Sequence, residues 1–407
     1  MRSYLKKFSV KIRFGLEIFF IVLYNIGVMN KQLKLMKALA ITILSLIGAM
    51  ILLIGGYVIY VIAQYYRIDD NAILSVEGSA TEQVEQGESY TVLSYNLGFG
   101  AYSPEYSFFM DTGVMNDGRE ITGKYAKGLN KKNVQKNVDG QVRVIKETNA
   151  DFCFLQEVDE RADRSYDINM VKAVRGALPS RCSTYAENFH TANLLYPFND
   201  PIGTINAGLI TLSGCRIEGA VRRSFPVTTS LIDKLFDLDR CFAVHYLPVM
   251  NSEKQLVLIN LHMSAYDEGG TIRAKQLKML NDVLADEYAK GNYVVAGGDF
   301  NHCLIADKFD SDEQALAAFP CDQKTPDWVK NSVLHNAELA SGFSIAADEK
   351  VATCRGAEMP YTKGINYTTV VDGFIVSDNV TVLREHTVDT DYAYSDHNPV
   401  LMEFKLN

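Results

Sequence analysis

Gly298-Asp299-Phe300-Asn301-His302 and Ser395-Asp396-His397-Asn398-Pro399 each gather an acid, an amide and an imidazole within five positions. A carboxylate beside an imidazole fixes one ring nitrogen and leaves the other free to take a proton near neutral pH. Carboxylate and amide oxygens also suit a hard divalent cation. The first segment follows the apolar, β-branched run Tyr293-Val294-Val295-Ala296. Its polar groups should therefore emerge where a buried strand ends, the place where open α/β sheets put their chemistry. The arrangement recurs in Val92-Leu93-Ser94-Tyr95-Asn96, in Phe152-Cys153-Phe154-Leu155-Gln156-Glu157, in Leu256-Val257-Leu258-Ile259-Asn260-Leu261-His262 and in Val370-Val371-Asp372. Strand-like runs that repeatedly end in metal-compatible or proton-transferring residues are more than packing requires.

Taken in this order, the six segments resemble the endonuclease/exonuclease/phosphatase superfamily, which includes pancreatic deoxyribonuclease, apurinic endonucleases, sphingomyelinases and inositol polyphosphate 5-phosphatases. The resemblance covers roughly residues 90 to 407. It implies an α/β fold, a four-layered sandwich of two packed mixed β-sheets flanked by helices, and Mg²⁺-dependent hydrolysis of a phosphate ester, with Mn²⁺ able to substitute. Such hydrolysis needs the phosphoryl charge neutralised, a water activated and the leaving oxygen stabilised. Mg²⁺ does much of this with one or two carboxylates because it keeps several waters.

The resemblance places the metal-binding Glu at Glu157, with Asn96 and Asp396 beside the same ion or a second one. It makes Asp372 and His397 the general-base dyad. Asp299 and Asn301 match residues that position the water and the phosphoryl oxygens or help the leaving group. His262 matches the strand-end His of the deoxyribonuclease and phosphatase branches, where apurinic endonucleases carry Tyr, and so disfavours an apurinic-site enzyme. It would donate to a phosphoryl oxygen or protonate the leaving group. Arg240 stands where several relatives carry a phosphate-contacting Arg, with an ordinary surface Arg as the alternative. The substrate stays open among nucleic acid, nucleotide, phospholipid headgroup and sugar phosphate, as diester or monoester. A competing class is a catalytically silent binding module, whose signature would be loss of Glu157, Asp299, Asp372 or His397; all four are present. His190, His245, His302, His335 and His386 fall outside the motifs and are expected to be structural.

The elements that must carry these residues follow from period and length. Strands are expected at 90–97, 152–156, 208–212, 241–247, 255–262, 293–296, 370–377, 380–385 and 399–405. Val134, Val138, Val142 and Ile145 recur at helical spacing, as do Leu277, Leu280, Leu284 and Tyr288 ahead of the stop signal Lys290-Gly291. Between Asn96 and Glu157 lies an insertion, Gly98 to Lys131. Its Arg119, Lys124, Lys127 and Lys131, continued by Lys132 and Lys136, are interleaved with Tyr102, Tyr106, Phe108, Phe109 and Tyr125. Two expectations stand side by side: a loop that grips phosphates and stacks on a ring, or a solvated charge run.

The 407 residues are 47% hydrophobic and 11% aromatic, the composition of a globular chain with a core. Residues 38–63 contain no charged side chain and are long enough to cross a bilayer. Lys31, Lys34 and Lys37 precede them, so an uncleaved single-pass anchor would leave the N-terminus cytoplasmic and the catalytic part outside. The alternative is a cleaved signal peptide, although the apolar run exceeds an ordinary signal core. A second apolar stretch, Phe14 to Met29, is interrupted by Glu17 and Asn25. A hairpin of two spans would put the lysines outside, which opposes the charge rule, and a start at Met29 or Met36 would give a complete anchor.

The expected division is thus 1–37 cytoplasmic, 38–63 transmembrane, 64–89 a polar tether or an ordered wrap, and 90–407 catalytic. Residues 64–407 carry 32 basic and 48 acidic groups, a balance of −16, unlike a general polyanion binder. Seven scattered Cys residues form no CxxC pair, which argues against zinc, and no particular disulfide can be assigned.

Overall fold

Along each central strand, successive side chains go to different cores. In Gln255–His262, Leu256 and Leu258 join one apolar cluster while Val257, Ile259 and Leu261 join another. Tyr293–Asp299 repeats the split, with Tyr293 and Val295 against Val294 and Ala296. In Ser89–Asn96 and Phe152–Ala162, Val92, Phe152 and Phe154 enter the shared cluster, whereas Leu93, Tyr95, Cys153 and Leu155 enter a third. The shared cluster therefore lies between two sheets, and each of the others lies between a sheet and its helices. Strands apolar on both faces require this four-layered α/β sandwich.

The computed structural model describes residues 31–227, 238–265 and 270–407. One sheet has six strands, in the order Val380–Thr387, Val400–Leu406, Ser89–Asn96, Phe152–Ala162, Gly203–Ser213 and Cys182–Leu194. The other has seven, in the order Ala72–Ile73, Gly219–Ser224, Cys241–Pro248, Gln255–His262, Tyr293–Asp299, Asp372–Ser377 and Phe343–Ala346. Each sheet contains one parallel pair, Ser89–Asn96 with Phe152–Ala162 and Gln255–His262 with Tyr293–Asp299. Parallel neighbours need a crossover, and helices Lys131–Thr148 and Thr271–Ala289 supply them where the apolar periodicity predicts. Asn130 caps the first helix, its side chain accepting from the Asn133 N–H at 2.9 Å. Gly291, at φ 84°, follows the second.

All nine expected strands are present, but Asp372 begins its strand instead of ending it. That strand runs antiparallel to Tyr293–Asp299, with Asp372 paired to Asp299, so its first residue reaches the same edge as its neighbour's last. The pattern misses Cys182–Leu194 because the side chains it buries include Ser183, Thr184, Asn188 and Thr191.

The chain divides between Ala63 and Gln64 into two units. The boundary falls at the last residue of helix Lys31–Gln64, whose Lys34–Gln64 part is long and apolar enough to cross a membrane. The stretch Phe14 to Met29 lies outside the described residues. In the second unit, the expected tether is an ordered wrap. Arg67 pairs with Asp239 at 2.8 Å, Ala72–Ile73 adds an antiparallel edge strand, and Glu77 bridges Ser183. Val84, fully buried in the inter-sheet core, donates its N–H to the Pro248 carbonyl at 3.1 Å. A few apolar residues among acids are enough to close the edge of the sandwich. All seven cysteines are free thiols.

Candidate active site

Along the four central strands the side chains facing the space between the sheets change toward one edge from Val92, Phe154, Leu258 and Val295 to Asn96, Gln156, Asn260, His262 and Asp299. The pairings Asn96 with Gln156 and His262 with Asp299 put these side chains level. Polar bonds then replace the apolar core as the link between sheets. Gln156 Nε2 donates to Asn260 Oδ1 at 2.9 Å, and Asn260 Nδ2 donates to the Ile210 carbonyl and to Thr211 Oγ1, each at 3.1 Å. Asn96 Nδ2 donates to Asp299 Oδ2 at 3.0 Å and to Glu157 Oε1 at 3.3 Å.

Two departures from regular backbone aim the acids. Glu157 lies at φ 51° where the pairing of its strand with Gly203–Ser213 slips between Leu155 and Val158. Such an irregularity turns a side chain out of strict alternation, at the cost of a sparsely populated conformation. Asn301 is also at φ 51°; its N–H donates to Asp299 Oδ1 at 2.9 Å and its Nδ2 to the Met263 carbonyl at 2.9 Å. Gly298, at φ 147°, permits the approach, since a Cβ there would stand 2.0 Å from the Leu261 carbonyl oxygen.

Opposite these residues, His397 Nδ1 meets Asp372 Oδ2 at 2.7 Å, and its Nε2 is 3.8 Å from Asp299 Oδ2. Residues without a role assigned from sequence hold the pair. Thr353 Oγ1 accepts the Asp372 N–H at 3.1 Å, and Ser395 Oγ donates to the Asn96 carbonyl at 2.7 Å while accepting the His397 N–H at 3.2 Å. Burial opposes a charge on His397, but Asp372, then Cys354 and Asp299, outweigh it and hold the imidazole well above its usual range. Burial, with Asp372 beside it, pushes Asp299 up to about 7 against the pull of His397. His262 goes the other way: burial, then Arg240 and His397, hold it well below the ordinary range, so its ring is neutral. Its Nε2 lies 3.4 Å from Asp299 Oδ2 and 4.0 Å from Glu157 Oε1, while its buried Nδ1 lacks a hydrogen-bond partner.

Arg240 is a buried side chain, with NH1 donating to the Met263 carbonyl at 3.0 Å and Nε unpartnered. The insertion's aromatic residues divide. Phe99, Tyr102 and Tyr106 form a small core of their own and are not free to stack on a ligand, whereas Tyr125 is exposed. His245 has both nitrogens satisfied, by the Leu258 carbonyl at 3.0 Å and Thr184 Oγ1 at 2.7 Å.

The donor set fits a hard cation. Glu157 and Asp396 supply two carboxylates, and burial together with Glu157 raises Asp396 to about 6 despite His397, as expected of neighbouring acids. Asn96 Oδ1 accepts only the Gly98 N–H among the described residues, at 2.9 Å, and retains a lone pair. Asp299, Asp372 and His397 also offer ligand atoms within 4.8 Å of one another. There, however, His397 Nδ1 is committed to Asp372, the arrangement of a proton-transfer pair.

No protein-family model and no curated protein matches the chain. Solved structures do. An endonuclease/exonuclease/phosphatase from Beutenbergia cavernae is 14% identical over 78% of this chain and 72% of its own, with a TM-score of 0.50. A family member from Leptotrichia buccalis is 12% identical over 78% and 100%, at 0.48, and truncated TDP2 from Caenorhabditis elegans is 15% identical over 79% and 98%, at 0.46.

Proposed function

We propose that this chain, which has the endonuclease/exonuclease/phosphatase fold, is a divalent-cation-dependent phosphoesterase held at a membrane by helix Lys31–Gln64. The observation that carries this reading is the His397–Asp372 pair at 2.7 Å, opposed to Asp299 and facing the Glu157 edge of the other sheet. Glu157, Asp396 and the free lone pair of Asn96 Oδ1 would hold Mg²⁺ or Mn²⁺. The ion would supply neutralisation of phosphoryl charge.

The chain's own groups do the rest. Asp372 fixes the His397 tautomer and stabilises its imidazolium, so Nε2 accepts a proton from water as the oxygen attacks phosphorus. Asp299 and Asn301 orient that water and the phosphoryl oxygens. As the P–O bond to the leaving group breaks, the departing oxygen takes a proton from Asp299, which is poised near neutral pH, while neutral His262 donates a hydrogen bond to a phosphoryl oxygen. Arg240 offers a fixed guanidinium to the phosphate. Lys31, Lys34 and Lys37, ahead of the uncharged stretch 38–63, support an N-terminus in the cytoplasm and a catalytic domain outside.

The test is a screen of the full chain in detergent against phosphodiester and phosphomonoester panels, with Mg²⁺, Mn²⁺ or chelator. Hydrolysis should appear with either ion and vanish with chelator. No turnover on any panel, or full turnover in chelator, rejects the reading.

A further inference from the structure

Met110, Leu195, Tyr196 and Phe198 are 54, 44, 53 and 88% exposed. They belong to two segments that meet. Met110 lies in the insertion after Asn96, and the other three at the tip of the hairpin joining Cys182–Leu194 to Gly203–Ser213. The rings of Phe109 and Tyr196 are 5.8 Å apart, and the Ala126 N–H donates to Asp200 at 3.3 Å. Both segments rise from the edge that carries the site. The insertion follows Asn96 directly, and the hairpin pairs Ile205 with Ala162, past Glu157 on the same strand. Single exposed apolar residues are ordinary, but adjoining ones at a loop tip mark an interaction surface.

Charge identifies what the surface fits. Between Glu120 and Asp139 the sequence holds five lysines and no acid, in a domain whose overall balance is −16. Lys124 lies against Ser107, two residues from Phe109, and Lys127 follows Ala126, which bonds the hairpin tip. Aromatic and apolar side chains flanked by lysines suit the boundary between acyl chains and anionic headgroups.

We propose that this tip docks the domain on a bilayer containing anionic lipid, with Tyr196 and Phe198 entering the interface and Lys124 and Lys127 facing the headgroups. The proposal rests on the anchored reading above, in which the chain's own helix keeps the domain within reach of lipid. Docking brings the strand ends to the headgroup layer, which favours a phospholipid headgroup over a long nucleic acid as substrate.

The test uses the full chain with Phe198→Trp, reconstituted in phosphatidylcholine vesicles with or without phosphatidylglycerol, with brominated or ordinary acyl chains. The native chain has one Trp, whose signal is subtracted. With phosphatidylglycerol present, bromine should remove half or more of the added emission. Lys124→Glu with Lys127→Glu should restore most of it, as should Met110→Ser with Tyr196→Ser, changes at exposed or partly exposed positions that leave the fold intact. Emission indifferent to bromine overturns the proposal, whether the new indole is open to iodide or shielded by a second copy. Quenching indifferent to phosphatidylglycerol and to the charge reversals overturns it also. A chain that fails to float with vesicles defeats the anchor as well, whereas one that floats unquenched defeats only the docking.

Discussion

The two parallel strand pairs are built alike and end differently. Each consists of a strand, a crossover helix and a second strand in register, and both deliver their last side chains to the same edge. The pair in the six-stranded sheet ends in Asn96, Gln156 and Glu157, with the Glu157 side chain 22% exposed. The pair in the seven-stranded sheet ends in His262 and Asp299, each side chain only 2% exposed. One half thus offers a carboxylate that water and a hydrated cation can reach. The other buries titratable groups whose proton affinities are displaced by desolvation and by each other. In the proposed reading the same supersecondary frame would serve charge neutralisation on one side and proton transfer on the other, and what separates the two sides is access to water.

The largest effect is expected on the wetter half. Glu157→Ala should lower kcat by roughly three orders of magnitude or more, because the carboxylate proposed as the cation's principal ligand is lost. Chelation should reproduce the loss in the native chain, and added Mg²⁺ should reverse it there but not in the variant. Thermal unfolding of the variant should stay cooperative, since a partly exposed side chain at positive φ contributes little packing. A variant that unfolds early, or keeps its activity, would move the metal role elsewhere.

The dry half predicts a coupled loss. His397→Ala and Asp372→Ala should each reduce kcat by about 10² to 10⁴, and the double variant should be little worse than the poorer single one, because the two act as a unit. In the proposed mechanism the neutral imidazole is the active form, and the proton affinity of His397 is held above the ordinary His range. Activity should therefore fall as pH drops through that raised value, and this acid limb should vanish in His397→Ala. Multiplicative losses with an unchanged limb would point to His262 as the base.

Much of this was legible because the strand ends announce themselves. An apolar run closing in Asn96, Glu157, His262 or Asp299 can be read directly, and the amphipathic spacing of Val134 to Ile145 places the crossover helix. What escaped depends on contacts between distant segments. Cys182–Leu194 buries hydroxyls and amides, so its strand has no apolar signature. Val84 looks like part of an acidic linker until Pro248 is beside it. Asn260 and Gln156 stood in the motifs, yet only the packing of two sheets shows that they bond each other. The burial of Arg240 and the self-packing of Phe99, Tyr102 and Tyr106 likewise have no local pattern.

The smallest effect separates two buried histidines in adjoining strands of one sheet. His262 has an unpartnered nitrogen and belongs to the site, whereas His245 is fully satisfied and links the sheets through Thr184. Burial lowers His245 to about 4, against 6.5 for a free imidazole. The native state therefore binds this proton less readily than the unfolded chain does. The stabilisation is complete above pH 6.5 and is lost as pH falls toward 4, up to about 3 kcal/mol in all. Denaturant unfolding at a series of pH values should show that acid slope in the native chain and a shallower one in His245→Gln, even if the variant starts less stable at pH 7 through its altered hydrogen bonds. Equal slopes would assign the acid sensitivity to other groups, and the contrast between a fully partnered histidine and one with an open nitrogen would then lack its energetic signature.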